Sequence, residues 1–140
     1  MKKIAALDFG EARIGLAVSD ESKKIALPRT TLSAKKNLEE SAASVASSLV
    51  ALGPLEAVIV GLPLFMNGKE SPMSQKVRKF GALLEEKFGF CVIFRDERLT
   101  SAQGERVMQE TEAGRKQRKK LLDGIAACII LQNYLDALSR

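Results

Sequence analysis

The chain has 140 residues, of which 46% are hydrophobic and 28% charged, and a formal net charge of +5. That length fits one domain, 1–140, able to bury roughly 68–70% of the surface its unfolded form exposes, and the composition excludes a disordered tail. There is no histidine, which removes histidine-based triads, Cys/His zinc sites and imidazole general-base catalysis. An enzyme built from these residues must work with carboxylates, lysine, hydroxyls or metal-bound water.

Residues 3–9 and 13–19 read as consecutive strands joined by a short glycine-containing turn, and 25–31 as a third, making an antiparallel meander. Asp8 interrupts the apolar run of the first strand. A charged side chain is rarely buried unless it is paired or holds a metal, so an aspartate here asks for a cation. Gly10 and Gly15 let the chain turn tightly and leave room above Asp8; the bland alternative is that Asp8 caps the turn through Gly10.

Residues 37–52 place Leu38, Ala42, Val45, Leu49 and Leu52 on one helical face and end at Gly53 and Pro54. A continuous apolar strand follows at 57–60 and closes at Gly61-Leu62-Pro63. After a polar loop at 66–69, the spacing predicts a helix over 74–88 capped by Gly89. Residues 91–94 read as a fifth strand that delivers the segment Arg95-Asp96-Glu97-Arg98-Leu99-Thr100-Ser101. A short helix at 102–109, a polar, mobile stretch at 110–118 and a last helix at 120–138 complete the chain. Leu121, Leu122, Ile125, Cys128, Ile129 and Leu135 give that helix a face for the sheet. The order predicts an α/β fold with a mixed five-stranded sheet, a three-strand antiparallel meander plus two parallel strands, flanked by helices.

The apolar stretch 125–131 is too short to span a bilayer, and the N-terminus lacks a signal-peptide core. A cytoplasmic protein with no membrane association is the expectation. Cys91 and Cys128 lack the spacing of a zinc or redox motif and read as two small buried hydrophobes.

Asp8 ends one strand, Glu97 follows another, and Asp123 falls in the first turn of the predicted last helix. Ligand sites in α/β sheets gather at the carboxyl ends of strands. Gly124, Ala126 and Ala127 keep the helix surface small, which would let Asp123 approach the other two. Three carboxylates in one pocket repel unless a hard cation neutralises them, and an oxygen-only donor set favours Mg²⁺ or Mn²⁺. Such a site supports phosphodiester hydrolysis without histidine. Each acid also has a structural explanation: Glu97 as a surface partner of Arg95 or Arg98, Asp123 as a helix-dipole acid. Asp96 competes with Glu97, because neighbours on a strand point opposite ways, and Asp20 should lie far from Asp8.

The net charge has a local origin in Arg115, Lys116, Arg118, Lys119 and Lys120. The run reads either as a solvated loop or as a phosphate-contacting arm.

Four ordered motifs carry a resemblance: Asp8-Phe9-Gly10-Glu11-Ala12-Arg13-Ile14-Gly15 with Val18-Ser19-Asp20; Val60-Gly61-Leu62-Pro63 with Asn67-Gly68; Asp96-Glu97-Arg98-Leu99-Thr100-Ser101; and Lys120-Leu121-Leu122-Asp123-Gly124-Ile125-Ala126-Ala127 with Leu131-Gln132-Asn133-Tyr134-Leu135. Through them the chain resembles, nearly end to end, the YqgF or RuvX family of Holliday-junction-resolvase-like nucleases with a ribonuclease H-like fold. The resemblance implies a metal-dependent nuclease that trims the 5′ end of pre-16S rRNA in ribosome biogenesis, with Asp8, Glu97 and Asp123 as the metal-binding catalytic set. It also implies that Arg13, Arg98, Thr100 and Lys120 orient phosphate or the carboxylates, and it strengthens the reading of Arg115, Lys116 and Arg118 as a substrate-holding loop. Ser101 stands where many members of the family have threonine.

The expected partners are nucleic acid, pre-rRNA before branched DNA, and ribosomal precursor particles; the chain is expected to be a monomer or homodimer. The rival readings are a resolvase of branched DNA, a non-catalytic nucleic-acid-binding module, and a sugar-kinase-like ATPase, which needs two such domains to enclose a nucleotide.

Overall fold

The computed structural model describes the backbone of residues 2–97 and 115–139, and the side chains of 2–97 and 124–139. The expected helix at 102–109 and the residues Arg98 and Thr100 lie outside the described residues.

The chain opens as a hairpin. Strand β1 (Lys3–Phe9) pairs antiparallel with β2 (Arg13–Ser19), joined by a turn in which the Gly10 N–H donates to the Arg13 carbonyl at 2.8 Å. A Cβ on Gly10 would sit 2.7 Å from that same carbonyl oxygen, so the turn closes only around glycine.

The third strand of the expected meander is broken in two. Strands β3 (Ala26–Pro28) and β4 (Leu32–Ser33) both pair antiparallel with β2, and residues 29–31 bow out between them. Pro28 has no N–H for the ladder, and one bond, Arg29 N–H to Leu16 carbonyl at 2.8 Å, bridges the break. The sheet therefore has six strands and not five, in the order β3-β2-β1-β5-β6, with β4 sharing the edge beside β2.

Helix α1 (Leu38–Ala51) starts where the Asn37 side chain accepts the Glu40 N–H. It leads into β5 (Leu55–Leu62), parallel to β1. Helix α2 (Pro72–Phe88) is opened by a reciprocal Ser71–Ser74 capping box and closed by Gly89 in the left-handed region, φ 75°. It returns the chain to β6 (Val92–Asp96), parallel to β5.

The last helix, α3, runs Arg115–Leu138, five residues earlier than its apolar pattern indicates. Its first turns are built from Arg, Lys, Gln and Leu, all good helix formers, so the helix extends beyond the stretch that apolar spacing marks. Residues 115–118 are thus helical and not part of a loop. Asp123 lies about two turns into α3, which withdraws the helix-dipole explanation for it.

Strand alternation divides the core. Ala5, Leu7, Phe9, Leu16, Val58 and Val60 pack under α1 and α2, with Phe80 fully buried among them. Ile4, Ala6, Ala17 and Ile59 face the other way, against Ala127, Ile130, Leu131 and Leu135 of α3. Cys128 is half-buried, but Cys91 is exposed at the edge of the sheet, contrary to its reading as a core residue; both are free thiols. No helix among the described residues is long and apolar enough to cross a membrane.

Candidate active site

Alternation puts Asp8 on the α3 face of the sheet, in line with Ile4 and Ala6. Its neighbours across the sheet are glycines. Gly15 pairs directly with it on β2, and Gly61 on β5 is one residue beyond the Leu7–Val60 pair. Asp8 therefore stands in a notch with no side chain on either flank.

The notch over Gly61 is filled by Glu97. The Glu97 N–H extends the β6 ladder to the Leu62 carbonyl at 3.2 Å, and its side chain folds back over the glycine. A Cβ on Gly61 would overlap the Glu97 carboxylate and stand 2.7 Å from Ile130 Cδ1 of α3. In the sequence Gly61 reads only as a strand end; a glycine closing an apolar strand is also the signal of a close approach from above. Gly61→Ala is expected to destabilise the protein by about 1–3 kcal/mol through overpacking, read as a lower urea midpoint; an unchanged midpoint would mean the fit is loose.

Asp96 is exposed and Glu97 buried, which settles which of the two faces inward. Parity decides it: Ile93 faces α3, so Arg95 and Glu97 do as well, while Asp96 points away. The Arg95 guanidinium lies 5.6 Å from the Tyr134 ring centre, tying β6 to α3 beside the site.

Asp8 and Glu97 touch. Burial, first of all, pushes the Glu97 carboxyl up to about 9; the Asp8 charge, a hydrogen bond to Asp8 and the charge of Asp96 add to the shift. Two carboxyls this close and this dry share a proton or need a cation. The donors are oxygens, which suits a hard divalent ion, so the residues present fit Mg²⁺ or Mn²⁺.

Position 123 is on the backbone of α3, one turn before the fully buried Ala127. The helix runs from the Asp8 end toward the opposite end, where Gln132 bonds the Ala26 N–H at 2.9 Å and the Lys24 carbonyl at 2.8 Å. Close packing onto the sheet comes from Ala126 and Ala127; Gly124 plays no part in it, since a Cβ there would meet no described atom within 4 Å. Arg13 is half-buried at the start of β2, opposite Ser33 and on the same side of the molecule as Gly124. The side chains of Arg115, Lys116, Arg118 and Lys120 lie outside the description; their backbone forms the first turns of α3.

Asp20 has a different task. Its carboxylate accepts from Ser22 Oγ at 2.6 Å and from the backbone of Lys24 and Ile25 at 2.8 and 3.1 Å, and the Ser22 bond leads the effects that hold its pKa below the usual range. It shapes the β2–β3 turn at the end of the sheet away from Asp8.

This sheet order, with a carboxylate pair at its carboxyl end and a helix laid across one face, defines a protein of the ribonuclease H-like fold class. Solved structures with the same fold include the RuvC of Thermus thermophilus in complex with Holliday junction substrate, with a TM-score of 0.58 and 17% identity over 99% of this chain and 96% of that one. The fowlpox virus resolvase bound to Holliday junction DNA also matches, with a TM-score of 0.58 and 22% identity over 99% of each chain.

Sequence relatives narrow the class. The family model described as "RuvX: Holliday junction resolvase" matches residues 2–137. A relative from Caldanaerobacter subterraneus is 43% identical over 96% of each chain, and one from Protochlamydia amoebophila is 38% identical over 96% of this chain and 93% of its own. Both bear the name "Putative pre-16S rRNA nuclease". The chain belongs to the RuvX family, and its class of activity is that of a nuclease.

Proposed function

We propose that the protein is a divalent-metal-dependent nuclease in which Asp8, Glu97 and Asp123 hold Mg²⁺ or Mn²⁺, and that it trims the 5′ end of pre-16S rRNA. The observation that carries the reading is the contact of half-buried Asp8 with buried Glu97 at the carboxyl ends of β1 and β6. An acid buried against a second acid raises its own electrostatic cost and has no structural purpose that an apolar side chain would not serve better. Support for the RNA comes from the name of the relatives. Such a substrate associates the protein with ribosomal precursor particles in the cytoplasm, as a monomer or homodimer occupying the single domain 1–140.

The bound cation would supply Lewis acidity toward a phosphoryl oxygen and an activated water. Everything else is the work of the chain. Asp8 offers its carboxylate from a strand end with bare Gly15 on one flank and Glu97, folded over Gly61, on the other. Glu97 gives up its proton on loading, which makes cation affinity rise with pH. Arg13, Arg98, Thr100 and Lys120 orient the phosphate, and Arg115, Lys116 and Arg118, on the first turns of α3, draw in the polyanion.

A second reading, resolution of branched DNA, is favoured by the description of the matching family model. One experiment separates the two. Labelled pre-16S rRNA leader and a four-way DNA junction are each incubated with the protein in Mg²⁺, Mn²⁺ or chelator. Cation-dependent cleavage of the RNA with the junction intact is the expected result. Full cleavage in chelator overturns the metal dependence, cleavage of the junction alone makes branched DNA the substrate, and binding without cleavage makes the protein a binding module.

A further inference from the structure

The break in the edge strand opens a cavity. Residues 29–31 bow away from β2, and between them and α3 lies a space of about 470 Å³ bordered by Arg13, Arg29, Thr31, Leu32, Gly124 and Ile125. Its size is that of small-ligand sites. Pro28 and Ile125 give it an apolar wall, the two arginines a cationic rim, and Thr30 and Thr31 bring hydroxyl groups. A nucleotide has this same division: a flat, largely apolar base with polar edges, joined to an anionic phosphate.

The cavity adjoins the acidic pair. Arg13 stands two residues before Gly15, the cross-strand partner of Asp8, and Gly124 follows Asp123 directly. Gly124 is the most telling of the lining residues. Glycine is the poorest helix former after proline, and it stands here well inside a 24-residue helix. Crowding does not require it, because an added Cβ would meet no described atom within 4 Å. The missing side chain keeps the cavity open.

We propose that this cavity holds one nucleotide of the substrate strand beside the scissile phosphodiester, its base against Pro28 and Ile125, its phosphate drawn to Arg13 and Arg29, and Gly124 left bare to admit it. The proposal rests on the nuclease reading and deepens it: it assigns a position at which the enzyme senses a base and not only the backbone.

The test uses the full chain and a 12-nucleotide RNA spanning the leader cleavage site, together with a series carrying one abasic position each. Binding is followed by fluorescence anisotropy in chelator, so that no cleavage intervenes. For the wild type, one abasic position is expected to weaken binding about tenfold, the scale of a lost base-stacking contact. Gly124→Leu, which fills the cavity, should bind intact RNA about as weakly and lose nothing further at that position. Gly124→Ala should melt at or above the wild-type temperature, showing that the helix tolerates a side chain there. Arg29→Ala should weaken binding to every RNA alike and lower the salt slope by about one, with the abasic penalty kept. A flat abasic profile in the wild type, an equal penalty in folded Gly124→Leu, or no wild-type binding at all would overturn the proposal. Wild type that binds with the expected profile but cleaves in no cation would instead overturn the nuclease reading and leave the nucleotide site standing.

Discussion

Asp8→Asn is expected to reduce cation-dependent cleavage by more than about 100-fold, the loss that already attends removal of a group one shell further from a metal. The same replacement should leave the fold as stable as before or more so. Asn keeps the shape of Asp and removes the charge held beside Glu97 beneath α3, and its amide oxygen can still accept the proton that Glu97 retains. Activity and stability should therefore move independently, as at sites where function holds a local electrostatic cost in place. The measurements are kcat/KM on the RNA leader at saturating Mn²⁺ and the melting temperature in chelator. Asp123→Asn is expected to show a loss of similar size, because in the proposed site all three carboxylates serve one cation. Cleavage within tenfold of wild type by either variant would remove that residue from the catalytic set.

Glu97→Gln carries the second large effect, and its sign depends on pH. The Glu97 carboxyl titrates near 9 in the folded, metal-free protein against an ordinary value of 4.5, with burial as the main cause and Asp8 and Asp96 as the charges facing it. Below pH 4.5 the group is protonated both folded and unfolded, and the shift has no influence on stability. Between 4.5 and 9 the unfolded chain releases the proton and the folded chain retains it, so unfolding becomes easier as pH rises, by up to about 1.4 kcal/mol per pH unit. Glutamine imitates the protonated acid, with a donor directed at Asp8, and does not titrate. In chelator the variant should therefore match wild type near pH 5 and exceed it increasingly toward pH 8, by several degrees in Tm. It should also be inactive at every pH, since a neutral amide cannot replace a carboxylate ligand. Parallel Tm profiles for the two proteins would show that Glu97 is not the buried acid described here.

Much of the fold was written locally. Helix α1 is legible from the spacing of Leu38, Ala42, Val45 and Leu49, the last three of which are buried, and from Asn37 before it, whose side chain caps the first turn. Gly89 ends α2 as its position indicates, because few other residues adopt a φ of 75° without strain. The parallel pair β5 and β6 follows from apolar runs joined by a helix of sufficient length. The departures have physical causes of another kind. The edge strand breaks at Pro28 because an edge tolerates a lost ladder bond, and no periodicity reports which residues then leave the sheet. The early start of α3 adds residues 115–120, which contain no apolar side chain, so an argument from apolar spacing finds only the part that follows.

The site divides in the same way. Asp8 could be singled out from the chain itself, since a charge inside an apolar strand conflicts with its neighbours at short range and calls for a ligand or a partner. The lack of histidine in turn narrowed the chemistry to carboxylates, lysine, hydroxyls or metal-bound water. Whether Asp96 or Glu97 joins Asp8 was beyond reach of the sequence, because strand parity has no sign until a helix covers one face; α3 covers the face of Ile93, and Glu97 goes under it. The nucleotide-sized space beside Gly124 likewise exists only where a bowed edge meets that helix. Residue type and spacing determined the elements, the acid at the end of β1 and the class of chemistry. Tertiary packing decided which second acid shares its pocket and where a substrate strand can rest, because contacts between residues distant in sequence depend on which faces the packed layers hide from water.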